Sequence, residues 1–223
     1  MLNDLTKEPV PVPIGSGVGP RRGAPTRPDL GPIMVQLAVW FVLVAVAVLG
    51  RLWQPGWNVT PMAGVALAAG VLFRRPLVAA GVPLTALAVS NLAMPSYGSA
   101  AMAAVVYAAT AWPVLLGRGL LGRRGSPGAS AGIAERAGRM LPIVGCALAS
   151  SLAFYLSTNF AHWCLTNDYP RTIAGLVSCY VAALPFYRWM PVGDVAWSLA
   201  IFGGLSAVER LSRGHVQTVS RMA

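Results

Sequence analysis

From Ile33 to Val208 the chain is a succession of apolar runs divided by short polar turns. The first run, Ile33–Trp53, predicts a helix of about 31 Å, long enough to cross a bilayer core. Asp29 is placed to cap it, and Trp53 and Trp57 suit the far interface. The segment from Gln54 to Pro61 must turn, with Thr60 as an N-cap and Pro61 at the first helical position. The helix that follows, Pro61–Phe73, stops at Arg74 and Arg75. Its length of about 20 Å predicts a start below the membrane surface, where free N–H groups and a positive dipole end can hold a ligand. Alternatively, residues 54–60 complete a tilted span. Gly64/Ala68 and Ala66/Gly70 are small-residue pairs four apart, of the kind that lets helices approach closely. Asn58-Val59-Thr60 also matches a glycosylation sequon, here read as chance in a turn followed by proline.

Span three is Pro76–Ala93, with Ser90 and Asn91 near its outer end, and span four is Ser99–Leu116. Gly117–Arg139 reads as the longest loop. Span five is Met140–Trp163, followed by a polar turn through Arg171. Thr172–Leu184 is apolar but too short to span, and Pro185 is placed to stop it, which predicts a re-entrant or tilted half-helix. The last span is Val192–Val208, with Asp194 near its start.

Composition turns these runs into a membrane assignment. Of 223 residues 56% are hydrophobic and 11% charged, with mean hydropathy +0.61; soluble domains carry about 25% charged residues. The net charge of +10 would suit nucleic acid. The arginines, however, sit in short loops between apolar runs, as the positive-inside rule requires, so no nucleic acid is expected. With six spans plus the short segment and a cytoplasmic N-terminus, only Arg51, Arg171 and Arg188 of the 17 basic residues fall outside. The expected fold is therefore an all-α, multi-pass protein of the cell (inner) membrane with both termini cytoplasmic. Residues 1–31 form a basic tail rich in Pro and Gly, 32–210 the transmembrane domain, and 211–223 a C-terminal tail.

The candidate chemistry is that of binding. There is no Walker A sequence, no metal-ligand spacing, and no nucleophile beside a base, so no enzyme, cofactor or metal is expected. Cys146, Cys164 and Cys179 read as small packing residues. His162 and Asp194 form the one candidate acid–base pair within the membrane. Asn58, Thr60, Asn91, Asn159, His162, Trp163, Tyr169, Tyr180 and Asp194 all map to the outer half in this topology. Neutral amides and aromatics with one acid suit a small, partly apolar solute. The competing structural reading makes Trp and Tyr interface residues, Asn and Thr caps, and Asp194 a cap or a partner of Arg188 or Arg171.

Particular segments resemble a known family. They are Asn58-Val59-Thr60-Pro61 before a small-residue helix, Thr158-Asn159-Phe160, Tyr169-Pro170-x-Thr172-x-Ala174-Gly175-Leu176, Cys179-Tyr180 through Pro185-Phe186, and Gly193-Asp194. Over residues 33–210 the chain resembles an uncharacterised bacterial family described as transport membrane proteins. That family is similar in layout to the substrate-binding S components of energy-coupling-factor transporters. The resemblance implies a solute-binding subunit whose energy comes from separate ATPase subunits. Two departures stand out: Asn91 occupies a position where an acid is expected, and the first span lacks a clean Ala-x-x-x-Ala docking face. The alternative is an accessory or scaffold subunit of a larger respiratory or photosynthetic membrane complex. Its contacts would run through the tail and the small-residue helix faces. Expected partners are thus the lipid bilayer, other membrane subunits and a small-molecule solute.

Overall fold

A computed structural model describes residues 31–54, 58–94, 97–122 and 133–222, the last ten and the first few of 133–139 by backbone alone. The tail, Asp29, Trp57 and the centre of the longest loop lie outside the described residues. Every regular element among the described residues is helical: α1 (Gly31–Trp53), α2 (Met62–Leu72), α3 (Pro76–Asn91), α4 (Ala100–Ala111), α5 (Pro113–Leu116), α6 (Ile133–Leu165), α7 (Ile173–Tyr187) and α8 (Met190–Met222). A π-helical turn, Gly117–Leu121, continues α5. Four stretches are long and apolar enough to cross a membrane: Gly31–Trp53, Ala100–Leu121, Met140–Leu165 and Met190–Ser212. Their outward faces carry exposed Phe41, Leu49, Leu141 and Val192, which in water would be a liability and in lipid is not.

The centre of the molecule is α2. All nine residues from Met62 to Gly70 are buried, and only its last residues, Val71 and Leu72, are partly exposed. A helix apolar all round belongs in a core. It packs against α1, α3, α5, α6 and α8. Glycines make these approaches close. A Cβ on Gly70 would overlap the Val114 carbonyl, and one on Gly117 would overlap the Leu67 carbonyl. One on Gly64 would sit 3.0 Å from the Ser198 backbone. The small-residue spacing seen in the sequence is thus a helix-packing surface within the chain itself.

Helices α7 and α8 both run antiparallel to α6. The Tyr180 hydroxyl donates to the Leu156 carbonyl, the Ser151 hydroxyl to Asp194 lower down, and Phe202 packs against the cluster that holds Cys146 and Ala147 lower still. Only Arg188 and Trp189 separate the two helices. α7 therefore does not turn back toward its starting end; it hands over to α8 in the same direction.

Several local expectations change. Thr60 does not cap α2, whose N-cap is Pro61, with no side-chain cap bond; the threonine lines a cavity instead. Pro185 does not stop α7, which continues to Tyr187. The proline ring removes the N–H that would bond the Val181 carbonyl, yet the helix runs on for two more residues. Span four is interrupted at Trp112, before Pro113, and continues through the π turn. Helix α6 starts at Ile133, so the loop after span four is shorter than the sequence implied. The sequence reading did not single out the caps of α4 and α7, Ser99 and Thr172, which accept from the Met102 and Gly175 amides at 3.1 Å.

Candidate functional site

The helices enclose a cavity of about 360 Å3 between the C-terminal end of α1, the N-terminal ends of α2 and α8, and the facing sides of α4 and α6. Its apolar wall includes Met62, Met102, Val106, Phe154 and Met190. Three methionines give a surface that can adapt to an apolar body. Its polar groups include Arg51, Asn58, Thr60, Thr110, Thr158 and Asp194. A few placed polar groups on a mostly apolar wall is the usual make-up of a small-molecule site.

Asp194 is 5% exposed. Its carboxylate accepts a 2.6 Å hydrogen bond from Ser151, and among the described residues no cation pairs with it. It neither caps α8 nor meets Arg171 or Arg188. The first turn of α8 brings it there: Gly193 lies so close to Val59 that a Cβ would be 2.9 Å from the Val59 Cα. That contact presses the start of α8 against the segment leading into α2.

Arg51 lies in the last turn of α1. One guanidinium nitrogen, Nη1, donates to the Ser90 hydroxyl and, at 2.8 Å, to Asn91 Oδ1. The Asn91 amide in turn reaches the hydroxyls of Tyr97 at 3.3 Å and Tyr107 at 3.4 Å. Asn91 therefore orients the arginine rather than lining the cavity. Both partners of the guanidinium are neutral, and among the described residues no carboxylate pairs with it.

Asn58 closes one side. Its φ of 60° is left-handed, a conformation Asn tolerates better than most residues. Its side-chain amide donates to the Phe186 carbonyl at 3.2 Å, tying the turn before α2 to the end of α7.

The remaining sequence candidates gather elsewhere, where α6 meets α7. Asn159 donates back to the Tyr155 carbonyl in its own helix at 2.8 Å. His162 pairs with Asp168 at 3.0 Å on the exposed turn, and Tyr169 meets the His162 ring edge-on. The Trp163 indole donates to the Pro170 carbonyl at 2.9 Å, and Arg171 stacks over its ring. Tyr180 donates to Leu156. Each of these groups has a partner within the hairpin, and none lines the cavity. His162 and Asp194 belong to different regions and do not form an acid–base pair.

The sequence pattern missed Arg51, Thr110, Ser150 and Thr158. Arg51 carried a signal: it was one of three basic residues on the outer side of the charge count, inside an apolar helix. The hydroxyl residues carried none, because Ser and Thr in apolar helices commonly bond their own helix, as Thr110, Ser150 and Thr158 do here.

The chain belongs to a family of unknown function, DUF6580, whose model matches residues 32–216. No curated protein and no solved structure matches the chain.

Proposed function

We propose that this protein is a membrane-embedded solute-binding subunit of a transport system, without an ATPase of its own. The observation that carries this reading is the cavity. It is roomy, mostly apolar, and holds a guanidinium and a carboxylate that lack charged partners among the described residues. Charged groups inside a membrane protein are costly and mark substrate paths when nothing in the protein neutralises them.

The proposed topology has six crossings: α1, α2, α3, α4 with α5 and the π turn, α6, and α7 with α8 in series. An even number returns both termini to one side, which the basic loops make cytoplasmic. The cavity then faces the outer half of the inner membrane, between helices joined at broken or short segments, as in known secondary transporters.

Native mass spectrometry of the protein extracted from its own membrane in mild detergent tests the reading. The expected result is a small-molecule adduct that is lost in Arg51→Gln. A stable assembly with other polypeptides and no adduct would overturn it in favour of an accessory subunit.

A further inference from the structure

We propose that the occupant of the cavity is a zwitterion: a compact solute with an apolar body, an acidic oxyanion group held by Arg51 and an N–H-bearing ammonium group held by Asp194. This deepens the solute-binding reading above and rests on it.

The inference comes from how the two charges are held. At Arg51 the protein uses up one nitrogen, Nη1, on Ser90 and Asn91. That fixes the plane of the guanidinium, while Nε and Nη2 make no hydrogen bond among the described residues, enough for a two-pronged contact with a carboxylate or phosphate. The identity of Asn91 matters here. An aspartate in its place would accept the same hydrogen bond and cancel the charge. The amide orients Arg51 and leaves its positive charge for a ligand.

At Asp194 the arrangement is the reverse. Ser151 supplies one hydrogen bond to Oδ2, and a carboxylate can accept about four. Keeping a carboxylate charged away from water is costly unless it is paired, and one hydroxyl is not a counter-charge. The two charges line the same cavity yet form no ion pair with each other. A solute carrying both complementary groups would neutralise each of them, with Met62, Met102 and Phe154 against its apolar part. A solute with one charge would leave the other group without a counter-charge, and one with none would leave both.

The test uses the full-length protein purified from its own membrane. The bound molecule is released by denaturation and weighed before and after reductive dimethylation, which marks amines. Methyl esterification marks a carboxylic acid, and phosphorus analysis marks a phosphate. The expected adduct carries an amine and one of the two acids. In the folded protein, Arg51→Gln and Asp194→Asn should each lower its occupancy at least ten-fold. Ser178→Ala, on an exposed part of α7, should leave it unchanged. An adduct lacking either group, or a phospholipid, overturns the zwitterion and leaves solute binding standing. An adduct with both groups that is indifferent to Asp194→Asn also overturns it, since a neutral acid there needs no cationic partner. The absence of any adduct overturns the zwitterion and the solute-binding reading together. Thermal unfolding of each variant separates loss of binding from loss of fold. If Asp194→Asn does not fold, the chemistry of the adduct from the unaltered protein decides alone.

Discussion

The cavity and the α6–α7 hairpin contain the same kinds of side chain and treat them in opposite ways. In the hairpin, Trp163, Tyr180, Asn159 and Arg171 all spend their donors on backbone carbonyls within reach. His162 has an acid beside it. In the cavity, Arg51 and Asp194 are each anchored by neutral neighbours and have no charged partner among the described residues. A polar group satisfied by its own fold stabilises that fold. A polar group held in place but left unneutralised is arranged for something else. Residue type does not separate the two cases; the partner does.

The comparison would be blurred most by Gly70→Val, which should set the scale for a collapse of both properties. The new side chain meets the backbone of α5 rather than a flexible side chain, so a loss of about 3 kcal/mol is expected. Both stability in detergent and adduct occupancy should fall, since α2 carries part of the cavity wall. Unfolding monitored by circular dichroism checks the first and native mass spectrometry the second.

Thr60→Val should separate the properties. It keeps the shape of a cavity residue and removes one hydroxyl that the helix does not use as a cap. Affinity for the retained solute should fall about ten-fold, equivalent to about 1.4 kcal/mol, with the unfolding midpoint nearly unchanged. Equal affinity in a titration of the variant would remove Thr60 from the contact surface.

Trp163→Phe should do the opposite. It deletes the bond to Pro170 and weakens the stacking of Arg171, for a stability loss of about 1 kcal/mol. Adduct occupancy should stay the same. A loss of adduct in this variant would mean that the hairpin belongs to the site after all, contrary to its closed hydrogen bonding.

The smallest effect is expected at Asp168→Asn. Its pairing with His162 is exposed, so the loss should be under about 1 kcal/mol and should fade further as salt is raised. Thermal melts at low and high ionic strength measure it. A large, salt-independent loss would show that the turn holds the hairpin together.

Much of the architecture was readable from local pattern. The apolar runs marked every long helix. The short length and small residues of Pro61–Phe73 already set it apart from an ordinary span. Its burial from Met62 to Gly70 followed from packing, which glycine spacing permits but does not specify. The polar stretch from Asn159 to Asp194 looked like one unit. The break at Arg188 and Trp189 divides it, sending Asp194 to the cavity and leaving the rest in the hairpin.

By itself the chain determined an all-helical molecule with lipid-facing surfaces, because hydrophobic run length and helical rise are local properties. Which polar groups are neutralised is not local. Arg51 and Asn91 come together across forty positions, and Ser151 and Asp194 across forty-three. Only the tertiary structure could decide that Asn91 serves Arg51, that Thr60 faces a cavity instead of capping a helix, and that His162 and Asp194 never meet. The physical reason is that a side chain's charge is part of the sequence, whereas its compensation depends on which distant helices pack beside it.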